Sequence, residues 1–273
     1  MRQRSPGGNI TVTERCHQCW LWGGASHPGG RSEQQDRWGV FTLPDQQGLL
    51  AVVADGMGGH RDGAVGAQAA VDATARFIRQ QADILRKQPA EALSLLCRQS
   101  HATLAAASRL AHSTIVTLWL YGDQAHWMHV GDSRLYHLRQ GRRLLRTRDH
   151  STVQLLLELG EISEAELATH PDQNRLYRSL GSDESPKPEL GSGRVELDDL
   201  FALCSDGLWE HISETELWET VVHSKALSPA AAALVERAAA RGGPWADNAT
   251  LILIRPARRR FSGWHWLRRV IKG

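Results

Sequence analysis

The chain has 273 residues, 41% of them hydrophobic, and a formal net charge of +2. That is apolar material for one large domain or two small ones, and too small a basic excess for a dedicated nucleic-acid binder. No apolar run approaches the ~18 residues of a membrane span, no h-region follows the basic start Met1-Arg2-Gln3-Arg4, and four cysteines in so long a chain do not suggest a disulfide framework, so the cytoplasm is the expected compartment.

Residues 1–13 are polar and expected to fray. Cys16 and Cys19 form a C-x-x-C pair, but no two further ligands stand at zinc spacing, so reduced thiols on an early strand are the simpler reading. Cys19 to Gly23 and Trp38 to Leu43 read as strands around a polar loop, His27 to Asp36. Leu49 to Ala54 is the next strand, entered by a hairpin turn over Pro44 to Gly48. Helical spacing of Ala64, Ala67, Val71, Ala75 and Ile78 predicts a helix from about Asp62 to Ala82. Pro89 suits the first turn of a second helix with the stripe Leu93, Leu96, Ser100, Leu104 and Ala107, and Cys97 falls on its core side. Ile115 to Leu120 is continuously apolar and predicts a strand buried on both faces. His126 to Val130 alternates, and Arg134 to Arg139 with Arg142 to Arg146 forms a hairpin around Gln140-Gly141. A short helix spans Ser151 to Leu159 with Gly160 as its C-cap, and Ser163 opens another. The polar stretch His170 to Gly193 is expected to be an exposed, mobile loop. Leu200 to Ser205 is a strand with Cys204 in its core. Ser213-Glu214-Thr215-Glu216 starts a helix through Val222, Ser228-Pro229 starts one to about Arg241, and Thr250 to Ile254 is the last strand. There is no regular βαβ rhythm, which favours an α+β fold of antiparallel sheets covered by helices.

The chemistry centres on Val52-Val53-Ala54-Asp55-Gly56-Met57-Gly58-Gly59-His60, an apolar strand ending in a carboxylate and a glycine-rich turn. Asp36, Asp132, Asp206 and Asp247 also adjoin strand-like segments. Singly, each reads as a turn residue or helix cap. Five carboxylates gathered at one sheet edge would repel and raise one another's pKa, and divalent cations would remove that penalty. Hard oxygen ligands of this kind suit Mg²⁺ or Mn²⁺, which points to a two-metal hydrolase acting on phosphorylated proteins.

In this light the chain resembles the metal-dependent protein phosphatases, the protein phosphatase 2C-like or PPM family, and especially its compact bacterial members. The ordered motifs over about residues 18–256 are Arg31-Ser32-Glu33-Gln34-Gln35-Asp36, Asp55-Gly56-Met57-Gly58-Gly59-His60, Ser113-Thr114, Gly131-Asp132-Ser133-Arg134 and Asp149-His150-Ser151. They continue with Asn174 to Gly181, Ser205-Asp206-Gly207-Leu208-Trp209 and Asp247-Asn248-Ala249-Thr250. The resemblance implies a four-layer α-β-β-α sandwich with two central antiparallel sheets. The phosphatase domain would span 14–256, with a flap at about 151–175 and a basic Trp/Arg-rich tail at 257–273. It implies hydrolysis of phosphoserine and phosphothreonine by a metal-activated water. Asp55 would bridge two ions, the Gly56 carbonyl would join one shell, Asp206 and Asp247 would ligate the other, and Asp36 would act through water. Asp132, sharing Asp206, would hold a third, weaker ion. Arg31 would grip phosphate, with Asn248 supporting Asp247 from behind. Relatives often carry Glu where this chain has Gln35, and animal members carry a His where it has Met57. His60 is read as a cap or packing residue before an acid. A Ser/Thr kinase or its substrates would be the partner and a monomer the working unit. A catalytically silent binding module and a phosphatase for small phosphate esters are the competing readings.

Overall fold

The computed structural model describes residues 11–16, 19–58, 61–167, 169–183 and 185–257. Strands β1 (Thr11–Cys16), β2 (Trp20–His27), β3 (Arg37–Thr42), β4 (Gly48–Ala54) and the two-residue β5 (Gly56–Met57) come first. Helices α1 (Arg61–Gln80), α2 (Ala82–Lys87) and α3 (Pro89–Ala107) follow, then β6 (His112–Ser113), β7 (Ile115–Tyr121), β8 (Gln124–Val130), β9 (Arg134–Arg139) and β10 (Arg142–Arg146). After α4 (Thr152–Glu158) come β11 (Glu189–Arg194), β12 (Asp199–Cys204), α5 (Asp206–Trp209), α6 (Glu214–His223), α7 (Leu227–Gly242) and β13 (Ala249–Pro256).

Two antiparallel sheets result, ordered β1-β2-β13-β12-β9-β10 and β11-β8-β7-β4-β3. Their side chains explain the stacking. In β4, Leu50, Val52 and Ala54 pack with α1 and α3 residues such as Ala70, Phe77 and Leu93. Leu49, Ala51 and Val53 point the other way, into a core shared with Phe201, Leu203, Ile252 and Ile254 of the second sheet. The opposite faces of β12 and β13 (Ala202, Cys204, Leu251, Leu253) pack against Leu234, Val235 and Ala238 of α7. Strands apolar on both faces therefore make three cores between four layers, each large buried side chain contributing about 1.5–3 kcal/mol. The expected α-β-β-α sandwich is what forms, and Ile115 to Leu120 is buried on both faces as its continuous apolarity required.

Antiparallel pairing also gathers strand ends. Arg37 at the start of β3 pairs with Ala54 at the end of β4, and Ile115 at the start of β7 pairs with Val130 at the end of β8. Cys204 at the end of β12 pairs with both Arg134 of β9 and Leu251 of β13. Asp36, Asp55, Asp132, Asp206 and Asp247 each sit just beyond one of these ends, so the topology delivers all five to one edge of the sandwich.

Three local expectations are corrected, and one element went unanticipated. Residues 11–13 do not fray, because Thr11 to Cys16 pairs along β2 from Ser26 to Leu21. The helix expected to Ala82 breaks at Gln81, and α2 restarts at once. Residues 170–193 are not a mobile loop throughout. Glu189 to Arg194 pairs in register with β8, and isolated bridges tie Ser113 to Leu180 and Ser151 to Leu176. The sequence there looks unlike a strand because it is an edge strand crossed by an indole. A Cβ at Gly191 would lie 2.3 Å from the Trp127 ring. Finally, the one-turn helix α5 follows Ser205 directly; four residues are too few for a periodic signal. The tail, apart from Ala257, and His60 lie outside the described residues.

Candidate metal and phosphate site

At the edge where the five carboxylates meet is a cleft of about 480 Å³. Arg31, Gln35, Asp55, Gly56, Met57, Asp132, Asp206, Asp247 and Asn248 are among its lining residues. The backbone around each carboxylate is fixed by neighbours. The Asp55 amide donates to Thr114 Oγ1 (3.0 Å), while its carbonyl accepts from the Thr114 amide (2.8 Å) and from Ser113 Oγ (3.0 Å). Gly56 is wedged against α1, where a Cβ would come within 2.0 Å of the Gly63 carbonyl oxygen, so no side chain fits there.

Asp36 is buried, and Ser205 Oγ donates to its Oδ2 at 2.7 Å. Its other oxygen, Oδ1, is buried without a hydrogen-bond partner. The Asp36 amide donates to the side-chain carbonyl of Gln34 (2.9 Å), and Gln34 Nε2 donates to Ser26 Oγ (2.7 Å). Asn248 does more than flank Asp247. Its Oδ1 accepts from the Gln35 amide (2.7 Å), and its Nδ2 donates to the carbonyls of Pro28 (2.9 Å) and Glu33 (3.1 Å). It thereby staples the loop bearing Arg31 and Asp36 to the start of β13. Arg31 stands at the mouth of the cleft, its side chain 59% exposed, and donates from Nη2 to Asp247 Oδ2 at 2.7 Å.

Asp132 sits in a clamped turn. Gly131 adopts φ +100°, its amide donates to His150 Nδ1 (3.1 Å) and its carbonyl accepts from the His150 amide (3.0 Å). The Trp209 indole donates to the Asp132 carbonyl (3.0 Å), and the Arg134 guanidinium lies 3.5 Å above that indole. Arg134 forms a buried bidentate pair with Asp149 (2.6 Å). The motif residues that hold no candidate ligand thus orient one.

The electrostatics follow from crowding. Burial first, then Asp206 and the other aspartates, push the Asp55 carboxyl well above its ordinary range. Burial, then Asp206 and Asp149, do the same to Asp132. Asp36 is pushed up to about 8, chiefly by burial and against the Ser205 bond, and Asp206 to about 6 by burial and Asp247. Carboxylates that burden one another, with one buried oxygen lacking a donor, form a set that divalent cations satisfy. A second group, His129, His150 and Glu189, also brings three ligand atoms within 4.8 Å. It suits a metal poorly. His150 Nδ1 already accepts the Gly131 amide, and the Arg178 guanidinium, itself a cation, stands 3.5 Å from Nε2.

A sequence model of the family described as Protein phosphatase 2C matches residues 23–247. The chain belongs to this family. The serine/threonine phosphatase stp of Listeria welshimeri is 33% identical over 235 residues, spanning 82% of this chain and 90% of that protein. The structure of PppA, a key regulatory component of T6SS in Pseudomonas aeruginosa, has 32% identity and a TM-score of 0.67, with 88% of this chain and 99% of that one covered. The catalytic domain of the phosphatase PstP, solved in complex with two manganese ions, has 26% identity and a TM-score of 0.72 over 90% and 100% of the two chains. In this protein phosphatase 2C member the site has residues to which the sequence assigned no role. Glu210, one turn beyond Asp206, is pushed up to about 8 by burial, then by Asp206 and Asp247. Ser205, Gln34 and the Thr114–Ser133 hydroxyl pair (2.7 Å) join it. Hydroxyl and amide side chains are common in loops, and only their partners distinguish these.

Proposed function

We infer that this chain is a divalent-metal-dependent phosphatase that hydrolyses phosphoserine and phosphothreonine in proteins. The observation that carries the reading is the convergence of Asp55, Asp132, Asp206 and Asp247 with Arg31 around one cleft, with Asp36 buried where it feels Asp206 and Asp247. Membership of the protein phosphatase 2C family, with Ser/Thr phosphatases as relatives, supports it. Asp55 and the Gly56 carbonyl would hold one ion, with Asp55 also reaching a second held by Asp206 and Asp247. Asp36 would contribute through water, and Asp132 with Asp206 would hold a third, weaker ion. Mn²⁺ and Mg²⁺ both suit an all-oxygen set. When bound, such ions lower the pKa of coordinated water and neutralise charge on phosphoryl oxygens.

The chain's own residues supply placement. Arg31 uses one guanidinium nitrogen on Asp247, leaving further N–H donors for phosphate oxygens. Asn248 sets the loop from which Arg31 reaches. Met57 offers no proton to a leaving group, and phosphoryl transfer rests mainly on positioning and electrostatics. Residues 14–256 would be the catalytic domain, and 151–175, bearing α4 and a 3-10 turn at Glu164–Glu166, a flap. The partner we propose is a cytoplasmic Ser/Thr kinase or its targets, met by a monomer. Among the described residues, no helix is long and apolar enough to cross a membrane. The test is hydrolysis of a phosphothreonine peptide with Mn²⁺, with and without chelator. Full activity after thorough chelation removes the metal reading, and turnover of nucleotides in preference to phosphopeptide favours a small-ester phosphatase.

Two substitutions separate roles within the cleft. Arg31→Ala is expected to lower turnover roughly 100-fold. Mn²⁺ affinity should stay level or tighten slightly, because a competing cation leaves Asp247. Calorimetric weakening of Mn²⁺ with normal turnover at saturating metal would instead make Arg31 an organiser of the metal cluster. Asp132→Ala is expected to keep the two tighter ions, lose a weak Mn²⁺ step in calorimetry, and lose most phosphopeptide turnover. A lower melting temperature with normal turnover per folded molecule would make Asp132 a turn cap only.

A further inference from the structure

We propose that Trp245 is a docking residue for the substrate chain, packing on an apolar side chain a few residues from the phosphorylated one. The proposal rests on the phosphatase reading above and extends it to substrate choice. Trp245 is 89% exposed, more than any other large apolar side chain among the described residues; the next, Leu159, is 72% exposed. A tryptophan left in water on a surface gains most from a partner that covers it.

Its position says which partner. Trp245 ends a 3-10 turn, Gly243–Trp245, closed by the Ala246 amide on the Gly243 carbonyl (3.2 Å). Asp247 follows two residues later, so the two Cα atoms are at most about 7.6 Å apart. The turn is fused to the loop that carries Arg31. The Gly30 amide donates to the Ala246 carbonyl (2.9 Å), and a Cβ at Gly30 would lie 2.1 Å from the Pro244 oxygen. Gly29, at φ +61°, would place a Cβ 2.2 Å from the Asp247 oxygen. Backbone meets backbone, with Arg31 bonded to Asp247 across the join. Trp245 and the Arg31 whose guanidinium is proposed to grip phosphate therefore belong to two backbone segments joined to each other at the edge of the cleft. A phosphoprotein segment crossing that edge advances ~3.3 Å per extended residue, which brings a neighbouring side chain over Trp245. A preformed turn loses little entropy on contact, and an indole face suits leucine or an aromatic ring.

The test compares wild type, Trp245→Ala and Trp245→Phe in Mn²⁺ on three substrates: a phosphothreonine peptide flanked by leucines, the same peptide flanked by serines, and p-nitrophenyl phosphate. The alanine variant should lose roughly tenfold in kcat/KM on the leucine peptide, mostly through KM. The phenylalanine variant should keep most of it, and all three proteins should match on the serine peptide and on p-nitrophenyl phosphate. Equal loss on p-nitrophenyl phosphate would overturn the proposal by showing an effect on Arg31 or Asp247. So would unchanged kinetics on the leucine peptide, or an altered oligomeric mass as the sole effect. Calorimetric binding of the leucine peptide separates this from the underlying reading. Binding lost in Trp245→Ala, in a protein that hydrolyses none of the three, would retain docking and remove the phosphatase.

Discussion

Asp55→Ala is expected to cut hydrolysis of p-nitrophenyl phosphate and phosphopeptide by roughly a thousandfold or more in saturating Mn²⁺, about 4 kcal/mol of barrier. Asp55 is the carboxylate proposed to reach both ions, and it feels Asp206, Asp36, Asp132 and Asp247 together. The substitution leaves the fold in place, because the bonds to Ser113 and Thr114 that hold this position come from its main chain. In EDTA the variant should melt no lower than wild type, since one member of a repelling cluster has gone. Turnover within tenfold of wild type would remove Asp55 from the metal set. Lost turnover with a collapsed melting temperature would assign it a structural role.

Thermal stability in chelator should fall as pH rises from about pH 5 to about pH 8, and Mn²⁺ should restore it increasingly across the same range. Asp36 and Glu210 are held up to about 8 and Asp206 to about 6, each above the ordinary carboxylate value. The folded, metal-free chain thus binds more protons than the unfolded chain in this window. Their contribution is complete below the unfolded pKa near ~4 and is lost as pH climbs through the folded values, at ~1.4 kcal/mol per pH unit for each extra proton. Cations that replace those protons stabilise most where the protons have left. Melting curves in EDTA and in Mn²⁺ at several pH values check this. A Mn²⁺ gain that is flat or shrinks toward pH 8 would show that the cations do not bind this cluster.

Much of the architecture was legible because burial on two faces leaves an unmistakable pattern. Leu49 to Ala54 and Ile115 to Leu120 are apolar at every position, and the helices of α1 and α3 carry their stripes openly. Two of the edge strands, β11 and β1, escaped for the opposite reason. β11, with two glycines under Trp127, and β1, at the rim of its sheet, have few positions that must be apolar. The five aspartates were visible as strand-end carboxylates, and the ordered motifs placed Arg31 beside them.

What the local chain could not supply was who holds whom. Gln34 grips the Asp36 amide, Asn248 spans 213 residues to reach Gln35, and Trp209 donates to Asp132 across 77. Residue type and spacing along the sequence determined which elements form, which faces they bury and which carboxylates end the strands. Only the tertiary structure decided that those ends share one edge, that Glu210 is raised by burial and by Asp206 and Asp247, and that the turn carrying the exposed Trp245 is bonded to the loop of Arg31. The reason is physical. Periodicity and turn chemistry act over a few residues, whereas repulsion, hydrogen bonding and exposure depend on distances in space between segments far apart in the chain.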